Sequence, residues 1–183
     1  MATVGVLALQ GGFALHRKPL EALGHSVVEV RTAEELARVD GLVLPGGEST
    51  AMLRLIARGG LEGPLRSFVA SGKPVLATCA GLILAAKKVV GPEQPSLGFL
   101  DVCVARNAFG RQLDSFEGTA DGVDLPLVFI RAPRIVEWSK DVEVKATLDR
   151  EPVLVKQRNV TGATFHPELT HRLDVHRGVF SEA

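Results

Sequence analysis

Short apolar runs separated by helical stretches constrain the fold of this chain more than any other feature. Thr3 to Leu9 is rich in Val and Leu, His25 to Arg31 and Asp40 to Leu44 read as further strands, and the run opened by Gly72-Lys73-Pro74 continues the series to Thr78. Near-continuous apolar character over so few residues suits strands covered on both faces. Between the runs, Phe13, Leu15, Leu20 and Leu23 recur at roughly helical spacing, with Gly24 placed to end the helix and Pro19 opposed to it anywhere but in its first turns. Thr32-Ala-Glu-Glu35 offers a capping box for a short helix; Met52, Leu53, Leu55 and Ile56 make the next helical face, followed by Leu65, Phe68 and Val69. After Cys79, the pair Ala80-Gly81 leads into a helix-forming stretch that reaches Ala86. Strand and helix in this rhythm imply a parallel sheet joined by right-handed crossovers.

Beyond the loop from Val90 to Ser96 the character changes. Phe99 to Ala105, Leu127 to Ile130, Val142 to Leu148, Val153 to Gln157 and Thr161 to Phe165 have strand composition, and a modest helix follows Thr170. Glycine and proline punctuate these segments closely, so the second half reads as strand-rich and partly antiparallel. With no repeat, low-complexity tract or long linker, residues 1–183 are expected to form one mixed α/β domain. Twenty-one basic residues balance 21 acidic ones, so no global field draws nucleic acid or an anionic membrane. No apolar run approaches the roughly twenty residues of a membrane helix. The amino terminus lacks the basic start and cleavage site of a signal peptide. Two cysteines, Cys79 and Cys103, make no disulfide framework. A cytoplasmic protein is the expectation.

Three segments carry chemistry, and each follows a predicted strand. Cys79 stands at a strand-to-helix turn, where the free N–H groups of the next helix favour a thiolate. A buried structural cysteine answers the same pattern. In Thr164-Phe165-His166-Pro167-Glu168, Pro167 holds His166 extended, so that Glu168 is able to reach back to one imidazole nitrogen and leave the other for a thiol proton. A surface His-Pro-Glu turn is the plainer reading. In Pro45-Gly46-Gly47-Glu48-Ser49-Thr50, adjacent glycines let backbone N–H groups approach a ligand; with the N–H of Ala80 they form the equipment of an oxyanion hole. The segment lacks the lysine and spacing of a phosphate loop.

Taken together, Leu7-Ala-Leu-Gln-Gly11, Leu44-Pro-Gly-Gly-Glu-Ser-Thr50, Thr78-Cys-Ala-Gly81, Arg106-Asn-Ala-Phe-Gly-Arg-Gln112 with Asp114-Ser-Phe-Glu117, Phe129-Ile-Arg-Ala-Pro133 and Phe165-His-Pro-Glu-Leu-Thr170 resemble, in order, the signature blocks of the glutaminase subunits of pyridoxal 5′-phosphate synthase. The cysteine and His-Pro-Glu blocks alone indicate a class I glutamine amidotransferase; the two arginine-containing blocks narrow the match. The resemblance implies a three-layer, flavodoxin-like α/β fold with a mostly parallel central sheet and added antiparallel strands. It implies Cys79 as nucleophile, His166 as general base and acid, and Glu168 as its orienting carboxylate, with oxyanion N–H groups from Gly47 and Ala80. Glutamine would be bound by Gly47, Glu48, Ser49, Arg106, Ile130 and Arg131. The implied partner is a (β/α)₈-barrel synthase subunit, in a large hetero-oligomer, that receives ammonia. Pyridoxal phosphate would be the product of that complex, and neither a cofactor nor a metal is expected in this chain.

The family commonly carries a glutamate immediately before the histidine of its first helix, where this chain has Leu15. Cys103 reads as a buried strand residue. His16, His25, His171 and His176 are expected in surface or capping roles, and Trp138 fits either core or interface. Alternatives to the main reading are a class I amidotransferase domain serving another synthase, a stand-alone cysteine hydrolase of the related fold, and an assembly subunit with a vestigial triad.

Overall fold

In a computed structural model that describes residues 1–106 and 115–181, the first half of the chain alternates strand and helix in the order its apolar runs predict. β1 is Thr3–Leu7; a 3₁₀ turn, Phe13–His16, leads into α1, Arg17–Ala22; then come β2, Ser26–Val30, α2, Ala33–Ala37, and β3, Gly41–Leu44. Next are α3, Ser49–Arg58, α4, Glu62–Ala70, β4, Val75–Thr78, and α5, Ala80–Ala85. Local chemistry explains the boundaries. Pro19 falls in the first turn of α1, where its missing N–H breaks no helical bond. Thr32 and Glu35 exchange both bonds of a capping box at the start of α2.

The second half holds β5, Ala86–Val90, β6, Leu100–Ala105, β7, Ser115–Thr119, β8, Pro126–Ile130, and β9, Arg134–Trp138. It continues through β10, Glu143–Leu148, β11, Glu151–Gln157, and β12, Val160–Ala163, to α6, Asp174–Phe180. The central sheet has the order β10-β11-β12-β4-β3-β1-β2. β2, β1, β3, β4 and β12 run parallel to one another, and β11 and β10 add an antiparallel margin. β5-β6-β9 forms a second sheet, and β7 pairs with β8. Residues 107–112 and Asp114 of the arginine-rich signature lie outside the described residues.

Alternation along the central strands sends side chains to two separate cores. Leu42, Leu44, Val75, Ala77 and Val160 face Met52, Ile56, Leu65, Leu82 and the small β5-β6-β9 sheet. Val4, Val6, Val43, Leu76 and Ala163 face Leu20 of α1, Phe129 of β8 and Phe180 of α6. These are the three layers that the resemblance implied. Among the described residues no helix is long and apolar enough to cross a membrane.

One boundary departs from expectation. The helix after Cys79 ends at Ala85, and Ala86 opens β5, which pairs in parallel with β6. The Leu-Ala-Ala-Lys-Lys sequence is a good helix former, but pairing with β6 outweighs that preference. β7 and β9 also escaped the sequence reading. Both are short and mostly exposed, and their glycine and charged residues blur the alternation.

Gly81 fixes how closely α5 lies on β3. A Cβ at that position would sit 1.9 Å from the Leu44 carbonyl oxygen. Because backbone rather than a flexible side chain is in the way, Gly81→Ala is expected to cost about 3 kcal/mol of stability. The measurement is a denaturant titration, with a lower midpoint at unchanged slope.

Candidate active site

The carboxyl ends of β1, β3, β4 and β12 open on one rim, because these strands all run in one direction. The pairing of Ala163 with Thr78 sets the last residues of β12 and β4 side by side, and Cys79 and His166 leave the sheet from that edge. The Cys79 N–H donates to Ala163 O at 2.9 Å. Cys79 has φ 48° and ψ −105°, a sparsely populated conformation that costs on the order of 1–3 kcal/mol for a residue with a Cβ. The sheet bond on one side and the bond from Ile83 N–H to Cys79 O (3.2 Å) on the other hold the elbow in place. Its side chain is therefore presented where α5 begins, at Ala80.

His166 is tethered through its N–H to Val128 O, 2.8 Å away on β8. Pro167 starts a 3₁₀ turn, Pro167–Leu169, which brings Glu168 back to the ring. His166 Nδ1 donates to Glu168 Oε1 at 2.7 Å, and the Glu168 side chain is almost fully buried. The ring leans on Gly46: a Cβ there would lie 2.6 Å from His166 Cε1 and 3.6 Å from Cys79 Cβ. Only glycine lets loop, ring and thiol meet this closely.

Burial opposes a charge on His166, but the neighbouring Cys79 and the bond to Glu168 outweigh it and push the imidazole up to about 10. Burial likewise opposes the Glu168 carboxylate. The bond from His166 and the proximity of His16 hold it below the ordinary value nonetheless. A thiol, an imidazole basic enough to take its proton and a buried carboxylate that orients the ring are the groups needed for acyl transfer through a covalent intermediate.

All ten residues singled out from the sequence line one cleft of about 390 Å³. The Glu48 carboxylate caps α3, accepting from Thr50 N–H (3.1 Å) and Ala51 N–H (2.8 Å), while the Glu48 N–H donates to Gln10 Oε1 at 2.8 Å. Ser49 Oγ donates to Gln94 Oε1 at 3.1 Å, and the Arg106 guanidinium donates to the same oxygen. Ile130 offers its carbonyl oxygen 3.7 Å from Cys79 Sγ, and Arg131 turns the chain there at φ 45°. Gly47 and Ala80 lie on the cleft wall beside Cys79. Among the described residues no group of three or more His, Cys, Asp or Glu is arranged to hold a metal ion.

Gln94 was missed because it sits in a proline-flanked loop that carries no periodic signal. The histidine expectations need a correction. His16 and His176 are not surface or capping residues; both are completely buried, and His16 Nε2 lies 3.6 Å from Glu168 Oε2. The signal that pointed to this was helical spacing, since Leu20 and Phe180, each four residues on, are also fully buried. Cys103 is buried in β6 as expected, and Trp138 is 46% exposed on β9.

Comparison with known proteins shows the family and the fold. Residues 6–180 match the SNO glutamine amidotransferase family. The pyridoxal 5′-phosphate synthase subunit PdxT of Geobacillus thermodenitrificans is 52% identical over 178 residues, covering 93% of this chain and 90% of that protein. The corresponding subunit of Deinococcus radiodurans is 51% identical over 184 residues, covering 96% and 94%. A crystal structure of a glutamine amidotransferase superposes with a TM-score of 0.90 at 45% identity, covering 97% of each chain.

The histidines give stability two opposite pH dependences. Burial lowers His16 from its ordinary 6.5, and lowers His176 from 6.5 to about 3. Below about pH 6.5 the unfolded chain therefore binds more protons, so the stability that these residues contribute is complete above that pH and lost as pH falls. His166 is raised from 6.5 to about 10, so its contribution is complete below pH 6.5 and lost as pH rises through 10. Denaturation midpoints are expected to peak near neutrality. On the acid side stability should fall by up to about 1.4 kcal/mol per pH unit for each buried histidine, and His176→Gln should flatten that side.

Proposed function

The chain belongs to the SNO glutamine amidotransferase family, and on that premise we infer that it is the glutaminase subunit of a pyridoxal 5′-phosphate synthase. It converts L-glutamine to L-glutamate and ammonia, with Cys79, His166 and Glu168 as its catalytic triad. The observation that supports this most directly is the convergence of these three side chains, with Glu168 on Nδ1 of His166 and the thiol at the other end of the ring.

In the proposed cycle, Cys79 Sγ attacks the side-chain amide carbon of glutamine. Backbone N–H groups of Gly47 and Ala80 receive the negative charge that develops on the amide oxygen. His166 takes the thiol proton as Sγ attacks, and that proton is the one that the departing nitrogen requires. As the C–N bond breaks, His166 gives up that proton, ammonia leaves and a γ-glutamyl thioester remains on Cys79. A water molecule, deprotonated by His166, then attacks the thioester, and the C–S bond breaks to release glutamate and restore the thiol. Arg106 is the group that answers the α-carboxylate of the substrate. Its guanidinium donates to the Gln94 amide oxygen and lies 3.7 Å from the Glu48 carboxylate, which together hold its planar fork at the cleft. Ser49, Ile130, Arg131 and the backbone at Gly47 and Glu48 complete the glutamine site.

The ammonia passes to the synthase partner, which we take to be the (β/α)₈-barrel subunit of a hetero-oligomer. Three exposed apolar side chains at the cleft, Leu15, Ile130 and Leu169, support docking of that partner over the opening. We assign the chain to the reducing cytoplasm, where the free thiols of Cys79 and Cys103 persist, and treat residues 1–183 as one glutaminase domain.

Glutamate release from glutamine, measured with the synthase present, is expected to fall at least about a thousand-fold in Cys79→Ala. Equal activity in that variant would remove Cys79 from the mechanism. Leu169→Asp is expected to weaken capture of the synthase in a pull-down while leaving the fold intact. Undiminished capture would place the docking surface elsewhere.

A further inference from the structure

Behind the carboxylate that orients His166 lies a second pair of histidines with no part in the cycle above. His16 comes from the 3₁₀ turn before α1 and His176 from α6, and both are fully buried. Their rings are tilted by 57° with centroids 5.3 Å apart, and His16 Nδ1 approaches His176 Nε2 to 3.0 Å. On its other side His16 Nε2 faces Glu168 Oε2 at 3.6 Å. Among the described residues that carboxylate oxygen has no hydrogen-bond partner, and neither has His16 Nε2.

We propose that His16 and His176 are positioning residues for the cysteine centre: His176 orients His16, and His16 holds the far oxygen of Glu168 so that the carboxylate keeps the His166 ring aimed at Cys79. The proposal rests on the reading of Cys79, His166 and Glu168 as the hydrolytic triad. Hydrogen-bond accounting selects the arrangement. A neutral imidazole has one N–H and one bare nitrogen, so across the 3.0 Å contact one ring donates and the other accepts. If His16 donated through Nδ1, its bare Nε2 would face the Glu168 carboxylate, and an N–H on His176 Nδ1 would be buried without an acceptor. If His176 donates through Nε2, His16 carries its proton on Nε2, pointed at Glu168 Oε2. That choice puts no N–H on His176 Nδ1 and aims the His16 N–H at the Glu168 carboxylate across 3.6 Å, so a small approach of the ring completes the bond.

The titratable groups around the Glu168 carboxylate are then His166 from the end of β12 and His16 from the 3₁₀ turn, with His176 of α6 behind His16 and Cys79 beyond His166. A hydrogen bond on one oxygen and an N–H aimed at the other favour the ionised form of a buried carboxylate and resist its rotation about its own axis. Loss of the His16 donor frees one oxygen, favours the protonated carboxyl and loosens the His166 ring. Substrate-binding groups are untouched, so the effect falls on turnover and not on glutamine recognition.

The test combines kinetics with a readout independent of turnover. In the complex with the synthase, His16→Phe, which keeps ring volume but has no donor, is expected to lower kcat about ten-fold at unchanged glutamine KM. The acid limb of its kcat profile should move to higher pH. His16→Gln, which places an amide N–H near the Nε2 position, should recover most of both changes, and His176→Leu should show the same pattern more weakly. Nitrogen-15 spectra of the histidine side chains in the unsubstituted chain should show His16 protonated at Nε2 and His176 as its donor. A His16 proton on Nδ1 overturns the proposal even if the chain is an active glutaminase. So does a kcat loss in His16→Phe with no shift of the pH limb and no recovery in His16→Gln. If His16→Phe does not fold, the spectra and the His176→Leu profile decide. An unsubstituted complex that releases no glutamate contradicts the glutaminase reading, while the spectra still judge the histidine pair.

Discussion

The parallel pairing of β12 with β4 is the contact on which the site depends. β12 reaches the sheet from the antiparallel margin, after β10 and β11, yet it lies beside β4 in the same direction. Because Ala163 is level with Thr78, the chain leaves both strands at the same height. A slip of one residue would turn the β12 side chains to the wrong faces and carry His166 away from the thiol. The N–H of Cys79 reinforces the register by donating to Ala163 O, so one hydrogen bond serves both sheet and elbow.

Around that contact the protein accepts several unfavourable terms. Cys79 holds a strained backbone, and Glu168 is a nearly dry carboxylate. Each of these terms is of order 1–3 kcal/mol or more when unpaired. They are offset locally: the strain by bonds on either side of the elbow, the carboxylate by the imidazole at 2.7 Å. Two cores, one on each face of the central sheet, keep these groups from relaxing, since shifting Glu168 would also shift α6 and the first helical turn packed behind it.

Much of this was legible in the sequence, for identifiable reasons. Strands buried on both faces show as unbroken apolar runs, so β1, β3 and β4 were readable and their ends located the site. Pro167 limits the backbone, so a return of Glu168 to His166 was readable from local geometry beside the plainer reading of a surface turn, and the Cys79 and glycine blocks decided between them. What escaped depends on distant partners. β5 reads as helix until β6 is beside it, and the polar strands β7 and β9 leave little trace of alternation. The histidine pair stands far apart in sequence and meets only through folding; both rings were expected at the surface or in caps, and nothing local showed that they would meet behind Glu168. Gln94 is similar, since an amide in a loop acquires meaning only when Ser49 and Arg106 converge on it.

The decisive proposal is covalent: glutamine loses its amide nitrogen while its side-chain carbonyl carbon is bonded to Cys79 Sγ. The most direct measurement is to mix the synthase complex with glutamine, quench in acid during turnover and map the adduct by peptide mass spectrometry. The account predicts a γ-glutamyl thioester on the peptide that contains Cys79 and none on the peptide that contains Cys103. Glutamate release with no adduct at Cys79 under conditions that trap the thioester, or an adduct at Cys103 alone, would contradict it.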